Sequence, residues 1–319
     1  MNRIENIGVN KHIMKSNLQT DNEFRELWIE IWSRKWFIFL TSLIVVICAV
    51  FYALSLPNIY KSEALLAPVE ENNHSSGGLA SQFGGLAAIA GINLSNSGAD
   101  KLTLTLEVLK SRAFLVEFLN ENNFKPIIMA ANGWNMSTNT IKYNRDIYDL
   151  DSKTWQREIK APKKAEPSDL EVFEFFIKEN LSINKDKETG LVLLSVKHFS
   201  PYVAKEIVDK LILAINKKRK QDDIAEANKS IEYLRIALKE TVVVDMQKIF
   251  YQLIEQQEQT KMLASVREQY VLKVIDPAII AENKHGPKRA VFCILALLFG
   301  VIFSLVVVML RFFYSKHSN

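Results

Sequence analysis

The sequence predicts an α+β protein in which two transmembrane helices flank one external domain. Residues 36–56 and 290–310 are each 21 residues long and carry no charge, which matches the length of helix needed to cross about 30 Å of hydrocarbon. Between these blocks, several short runs rich in β-branched and aromatic residues read as strands. Residues 202–276 then run for 75 residues without Gly or Pro, which permits very long helices.

The two apolar blocks are predicted to be membrane spans. A pair of buried core helices is the weaker interpretation, because neither block has the polar stripe that a core helix usually keeps. A cleavable signal peptide is also disfavoured. The first block follows a 35-residue leader, partly acidic, and has no small-residue cleavage site. Residues 1–35 are therefore expected to be an N-terminal segment and residues 311–319 a short tail.

Flanking charges predict the orientation of these spans. Arg25, Arg34 and Lys35 precede the first span, whereas only Lys61 follows it closely. The positive-inside rule places both termini in the cytoplasm and residues 57–289 outside it. The only cysteines, Cys48 and Cys293, fall inside the spans, so the external domain folds without disulfides. This suits a bacterial inner-membrane protein with a periplasmic domain.

The external segment holds 32 of the 40 Lys and Arg residues and 31 of the 36 Asp and Glu residues. This near-neutral balance argues against a nucleic-acid partner, which requires a basic face. In the leader, DNEFRELWIEIWSRKW predicts an amphipathic helix at the membrane interface, and a plain continuation of the first span is an equal alternative.

Residues 77–91, GGLASQFGGLAAIAG, contain five of the eleven glycines. No Lys follows them in P-loop spacing, and the run is too short to cross a bilayer. We expect close structural packing there rather than ligand binding.

The first half of the external domain starts with a strand in IYKSEALLAP. A single core-facing helix is predicted in LTLTLEVLKSRAFLVEFLNEN, because its apolar side chains recur at helical spacing. Residues 131–168 are polar, and we expect a loop-rich insertion there. The alternative is an aromatic sugar platform. The residues that carry the helix are Leu106, Leu109, Phe114, Leu115 and Phe118; those of the platform are Trp134, Tyr143, Tyr148 and Trp155.

The second half begins with LEVFEFFIKENL, a helix capped by Ser168, and continues with two strands whose connecting turn ends at Gly190. Ser200-Pro201 is typical of a helix start. From there one helix is predicted to run to about residue 239, about 60 Å, and to break at TVVV, residues 241–244. A second helix follows to about residue 265. YVLKVIDPAI then forms a strand that we expect to share a sheet with IYKSEALLAP.

No catalytic, cofactor or metal site is predicted. The five histidines are scattered, and neither HExxH nor GxSxG spacing occurs. Paired acids such as Asp222-Asp223 are expected on solvated faces rather than in a glycosidase dyad. The protein is therefore expected not to be an enzyme and to act by holding partners together.

The order of several segments resembles the chain-length determinant (Wzz) family of bacterial polysaccharide co-polymerases. The resemblance spans nearly the whole chain. The segments are PNIYKSEALLAP, the glycine-rich run, GLVLLSVKHFSPYVAKEIVDKLILAINKKRK, EANKSIEYLRIAL, FYQLIEQQEQTKMLASVREQYVLKVIDPA, and PKR entering a second span that holds Gly300.

This resemblance implies an α/β base domain near the membrane, a long helical trunk in the periplasm and a ring-shaped homo-oligomer. It also implies a role in setting the number of sugar repeats that a separate Wzy-type polymerase adds, with lipopolysaccharide O-antigen as the foremost polymer. The implied partners are that polymerase, the membrane, and a lipid-linked glycan or nascent polysaccharide. Because the chain ends before a P-loop domain could begin, the kinase-free class is expected. The alternatives are a two-span periplasmic sensor and an exporter adaptor.

Six positions are expected to matter for structure or function. Leu234 lies with Ile231 and Leu238 on one stripe of the long helix, where it must pack against another helix. The others belong to the segments that carry the resemblance and lie at or near the spans: Pro57, Tyr60, Pro277, Pro287 and Gly300.

Overall fold

The computed structural model describes residues 32–69 and 97–317. It divides the chain into two compact units: unit 1, made of Met1–Pro57 and Gly286–Asn319, and unit 2, made of Asn58–His285. The interpretations of the leader before residue 32 and of the glycine-rich run lie outside the described residues.

The elements are labelled in chain order. They are α1 (Lys35–Ser55), β1 (Tyr60–Pro68), α2 (Ser97–Lys110), α3 (Arg112–Glu121), α4 (Lys125–Met129), β2 (Ala131–Asn135), β3 (Thr140–Tyr143), β4 (Tyr148–Asp149), β5 (Thr154–Trp155), α5 (Asp169–Phe175), a π-helical turn (Phe176–Asn180), β6 (Leu181–Lys185), β7 (Val192–His198), α6 (Pro201–Glu240), α7 (Val244–Val266), β8 (Leu272–Asp276) and α8 (Arg289–His317).

Unit 1 is a pair of apolar helices, α1 and α8, each long and apolar enough to cross a membrane. Small residues line their contact. A Cβ added at Gly300 would lie 3.1 Å from Ser42 Cα and 3.4 Å from Val45 Cβ, and Ser42 and Ser304 are buried. The two backbones therefore approach closely where side chains are smallest, as in many membrane helix pairs. The α+β class with two apolar helices is confirmed.

Unit 2 is built on a four-stranded antiparallel sheet with the strand order β6-β7-β1-β8. Strand β1 pairs with β7 from Tyr60↔His198 to Leu66↔Val192. On its other side, β1 pairs with β8, from Leu65↔Asp276 to Pro68↔Leu272. The prediction that the first and last strands of the external domain share one sheet is thus confirmed.

One hydrophobic core joins this sheet to the helices. The sheet contributes Leu66, Val192 and Leu194, which are fully buried, and the helices contribute Leu109, Phe176 and others. The five apolar residues predicted to face the core between residues 102 and 122 are all buried.

Those five residues do not lie on one helix, however, and that expectation was wrong. The segment divides at Ser111, which is extended (φ −66°, ψ 145°) and whose Oγ accepts a hydrogen bond from Phe114 N. Ser111 thus caps a new helix, α3, and the chain changes direction there.

The insertion at residues 131–168 is also more regular than expected. It contains two β-hairpins, β2–β3 and β4–β5. Asn139 (φ 50°) and Lys153 (φ 53°) take the left-handed conformation that such turns require. Tyr148 and Trp155 pair across β4–β5, with ring centroids 4.9 Å apart. Two of the residues considered for an aromatic sugar platform, Tyr148 and Trp155, therefore pack against each other within the β4–β5 hairpin.

The remaining local predictions are confirmed. Ser168 caps α5, Gly190 takes φ +70° in the turn between β6 and β7, and Ser200 caps α6 with Pro201 at its first position. Helix α6 has 40 residues and ends at Glu240; α7 begins after a break at residues 241–243. The β-branched valines disfavour helix at this break.

Candidate assembly surface on the helical hairpin

Helices α6 and α7 form a hairpin with two contrasting parts. The root is residues 201–223 of α6, and the outer hairpin is residues 224–262 of α6 and α7. A 40-residue helix is about 60 Å long, so the outer hairpin extends beyond the part of α6 that packs on the sheet.

The root is packed as a protein core. Ile207, Val208, Leu211 and Ile215 have no exposed surface, and they belong to the same cluster as the sheet residues Leu194 and Leu272. Burying each such side chain stabilises the folded state by about 1.5–3 kcal/mol. The root is therefore held by its own chain.

Asn216 fastens the root to strand β8. Its Oδ1 accepts hydrogen bonds from three consecutive backbone N–H groups, those of Tyr270, Val271 and Leu272, at 2.9, 2.8 and 3.1 Å. Its Nδ2 donates to Ile212 O and Leu272 O. One buried side chain thus accepts hydrogen bonds from three backbone N–H groups at the start of β8, which would otherwise be unpaired.

A network of charged and polar side chains lies at the end of the root that adjoins the outer hairpin. Arg219 Nη2 donates to Asp223 Oδ1 at 3.0 Å, and Tyr270 Oη donates to Asp223 Oδ2 at 2.7 Å. Lys101 Nζ lies 3.0 Å from the same Oδ2 and 4.8 Å from the centre of the Tyr270 ring. Burial, together with the neighbouring Asp223, raises the pKa of Tyr270 to about 12. The phenol therefore stays protonated and acts as a donor.

This network resolves the expectation about Asp222-Asp223. Asp223 has only 13% of its side chain exposed and is surrounded by Arg219, Lys101 and Tyr270, so it is not on a solvated face. Asp222 is more exposed and pairs with Lys218 at 3.0 Å. No local pattern separates these two neighbours in the sequence, because the difference comes from the packing of α2 and Tyr270.

The outer hairpin has the opposite character. Between residues 224 and 262, all of which are described, only Ala227 and Ile231 are buried. Large apolar side chains are exposed instead, and Val242 at the bend is 91% exposed. The full set is Tyr233, Ile236, Val242, Val243, Val244, Met246, Tyr251, Leu253 and Met262.

Large exposed apolar surfaces are typical of sites that contact another molecule. The side chains lie on both helices and around the bend, so a partner would contact the hairpin along its length. We call this surface, defined by the nine residues above, the assembly surface. Leu234 lies among them and is half-buried in the single chain.

The other five predicted positions lie in different elements. Pro57 follows the end of α1, and Tyr60 opens β1 with its ring 5.6 Å from that of Trp134. Pro277 directly follows β8, and the carbonyl of Pro287 accepts from Arg289 N at the start of α8. Gly300 lies in the contact between α1 and α8. These positions do not form one site.

Groups able to do chemistry are sparse in the described part of the chain. Residues 32–69 and 97–317 contain no group of three or more His, Cys, Asp or Glu side chains with metal-binding geometry. His198 is buried; its Nδ1 accepts from Ser200 N and its Nε2 lies 3.1 Å from Ile127 O. Burial lowers the pKa of His198, so its ring is a neutral structural link between β7 and α4.

Two family models match the sequence. Residues 21–122 match the model for Wzz, chain length determinant protein, and residues 232–313 match the model for GNVR, the G-rich domain on putative tyrosine kinase. No curated protein matches the chain by sequence.

Two polysaccharide co-polymerases are among the solved structures that are similar to the chain. A full-length bacterial polysaccharide co-polymerase is 12% identical, with a TM-score of 0.40, over 91% of this chain and 97% of its own. A fragment of WzzB, a polysaccharide co-polymerase from Salmonella Typhimurium, is 13% identical, with a TM-score of 0.30, over 72% of this chain and 100% of its own.

The Wzz model covers the first apolar helix, strand β1 and the first core helices, and the GNVR model covers most of the outer hairpin, strand β8 and most of the second apolar helix. From these matches, the chain carries a Wzz chain length determinant domain over residues 21–122 and a GNVR domain over residues 232–313.

Proposed function

We propose that this protein is a two-pass regulator of surface polysaccharide chain length in the bacterial inner membrane, with lipopolysaccharide O-antigen as its polymer. The family match supports the polysaccharide role. The two apolar helices support membrane insertion, and the flanking charges support cytoplasmic termini with unit 2 in the periplasm.

The observation that carries the mechanism is the assembly surface. A single chain leaves nine large apolar side chains of the outer hairpin exposed, although the inner face of its root is packed against the sheet. We propose that a second copy of the chain covers this surface and that repetition of the contact builds a homo-oligomer. The oligomer then acts as a scaffold that holds a Wzy-type polymerase and its lipid-linked glycan or nascent polysaccharide.

In this mechanism the protein makes no covalent bond itself. It binds no cofactor or metal, and the polymerase forms every glycosidic bond. Single alanine replacements of Asp223, Glu226 or His198 should therefore leave polymer synthesis intact. Complete loss of polymer from one such variant at a normal protein level would contradict the non-enzymatic role.

Leu234→Asp tests the role of the outer hairpin. Leu234 is half-buried in the single chain, and an unpaired carboxylate in a helix contact costs several kcal/mol. In a deletion strain that carries this variant, we expect O-antigen of broad, mostly short length and weaker crosslinking between subunits. The measurements are a lipopolysaccharide gel and a crosslinking blot.

Lys239→Asp is the matched control, because it places the same carboxylate on an exposed position of the same helix. It should keep the wild-type length distribution. If Leu234→Asp protein accumulates normally and its ladder keeps the original preferred length, the outer hairpin has no role in length control. If deletion of the gene changes another surface glycan and leaves O-antigen unaltered, the assignment to O-antigen is wrong.

The GNVR match favours a second candidate, in which the chain works together with a tyrosine kinase. A phosphotyrosine blot of deletion and complemented strains distinguishes the two. The kinase-free role proposed above expects no change in phosphotyrosine, whereas the kinase-coupled role expects a band that depends on this protein.

A further inference from the structure

Three aromatic rings meet at one end of unit 2. The ring of Trp134, on β2, lies 5.6 Å from the ring of Tyr60 and 6.0 Å from that of Tyr202. Tyr60 opens β1 and Tyr202 lies in the first turn of α6. We call these three residues the aromatic ledge. Tyr202 is 45% exposed and Trp134 is partly exposed, so the ledge faces outward.

The ledge lies at the end of unit 2 where the chain enters and leaves. Tyr60 pairs with His198, which puts the end of β7 and the start of α6 beside the start of β1. The chain returns to the same place after β8, because His285 N donates to Ile59 O at 2.8 Å. Residue 57 is therefore three residues before Tyr60 along the chain, and residue 286 directly follows His285, whose backbone bonds to that of Ile59.

The hairpin that carries Trp134 has the composition of a surface that contacts anionic headgroups. Residues 122–145 contain no Asp or Glu, and Lys142 and Arg145 are exposed cations within them. Met136, at the tip between β2 and β3, is 76% exposed, which is costly in water for an apolar side chain. The remaining tip residues are Asn, Ser and Thr, whose amides and hydroxyls can bond to phosphate and glycerol oxygens.

We propose that the aromatic ledge and the β2–β3 hairpin rest on the headgroup layer of a bilayer that contains anionic phospholipid. Trp and Tyr rings favour this depth because one edge is apolar and the other carries a polar group. Lys142 and Arg145 face lipid phosphates, and Met136 enters the upper acyl region. This contact rests on the proposed membrane location and adds a third attachment for unit 2, besides its two chain connections.

A sugar-stacking role for the ledge fits less well. Two neighbouring rings already pack on Trp134, and its Nε1 already donates to Asn139 Oδ1 at 2.9 Å. A saccharide would need the open ring face and free polar edge that this arrangement occupies.

The test uses the full-length protein in vesicles of phosphatidylethanolamine and phosphatidylglycerol, with or without bromine atoms on the upper acyl chain. Three versions each keep one tryptophan, Trp36, Trp134 or Trp155, and the others are changed to Phe. Because bromine quenches only rings that it touches, Trp134 should lose emission in the brominated vesicles, as expected for a ring at headgroup depth. Trp155, which packs against Tyr148 on the other hairpin, should keep its emission.

The version that keeps Trp36 tests the proposed membrane location separately from the proposed lipid contact of the aromatic ledge. Quenching of Trp36 without quenching of Trp134 overturns the ledge contact and leaves the membrane location standing. Absence of quenching for Trp36 overturns the membrane location and the ledge together. If Trp134 emission responds to added oligosaccharide and not to brominated lipid, the ledge is a saccharide platform and the lipid contact is wrong.

A spin label gives a second measurement that keeps all tryptophans. The label is placed on Met136→Cys, and on Leu150→Cys as the control, in chains with Cys48 and Cys293 changed to Ser. Both positions are exposed hairpin residues, at 76% and 56%. Collisions with oxygen should be several-fold more frequent at position 136, because oxygen concentrates in the bilayer. Equal collision rates at the two positions would overturn the proposal.

Discussion

The root and the outer hairpin belong to the same long helix, yet they differ in how they are stabilised. In the root, Leu211 and Ile215 have no exposed surface, and Asn216 fastens α6 to β8. In the outer hairpin, Tyr233 and Val242 are 72% and 91% exposed. The inner face of the root is packed within one chain, whereas the outer hairpin leaves large apolar side chains exposed on both of its helices. In the proposed mechanism the root therefore reports on folding and the outer hairpin on assembly.

The largest effect on folding is expected from Asn216→Ala. The change leaves three buried N–H groups without their acceptor, and it should lower the free energy of unfolding by about 3–5 kcal/mol. Urea unfolding of the full chain in detergent measures this. Lys217→Ala, at the exposed neighbouring position, is the control and should change the free energy of unfolding by less than about 0.5 kcal/mol. Equal unfolding of Asn216→Ala and wild type would mean that the root does not depend on this link.

A pair of variants two residues apart sharpens the contrast between buried and exposed faces. Leu211 is fully buried and Leu213 is 69% exposed on the same helix. Leu211→Ala should lower the free energy of unfolding by about 2–4 kcal/mol, and Leu213→Ala by less than about 0.5 kcal/mol. The same urea experiment compares them. A large loss from Leu213→Ala would show that the root has a second packed face in the assembled protein.

The outer hairpin should respond in assembly rather than in folding. Ile236 is 52% exposed in the single chain, so Ile236→Ser should change the free energy of unfolding by less than about 0.5 kcal/mol. Self-association should weaken about tenfold, the equivalent of about 1.4 kcal/mol. Dilution series followed by mass photometry in detergent measure the association. Unaltered association, with Tyr233→Ser also without effect, would move the subunit contact away from the assembly surface.

The smallest expected effect is a pH dependence that arises at His198, just before the root. His198 lies two residues before the cap of α6, and burial lowers its pKa. An unfolded His takes up a proton near pH 6.5, so its neutral burial costs nothing above that pH and destabilises the fold as pH falls below it. The melting temperature should therefore fall between pH 7.5 and 5.5. In His198→Gln this fall should be smaller by about 2 °C, and equal falls would contradict the assignment to His198.

Local signals in the sequence were enough for much of the fold. Ser168 and Ser200-Pro201 mark helix starts, Gly190 marks a turn, and the valines at 242–244 mark the bend, because each acts on its own backbone. Ser111 carried the same kind of signal. Its break was missed because Leu109 and Phe114 continue an apolar pattern across it, and the pattern reports burial but not a change of direction.

The polar residues of the root could not be predicted in this way. Asn216 and Arg219 sit in a run of Lys, Arg and Asp that is typical of a solvated face, and their burial depends on α2 and Tyr270, which are distant in sequence. The assembly surface was only partly predicted. Leu234 was expected on a packing stripe, but the neighbouring exposed residues Tyr233 and Ile236 become apparent only when the packing of α7 is known.

The hydrogen bond between His285 and Ile59 has a consequence for the modularity of the chain. Because the two ends of unit 2 meet, this unit has the form of a cassette inserted into the loop between two helices. Adjacent termini are what allow a domain to be excised or transplanted without strain at its junctions. Unit 2 and the two apolar helices can therefore be altered or exchanged separately.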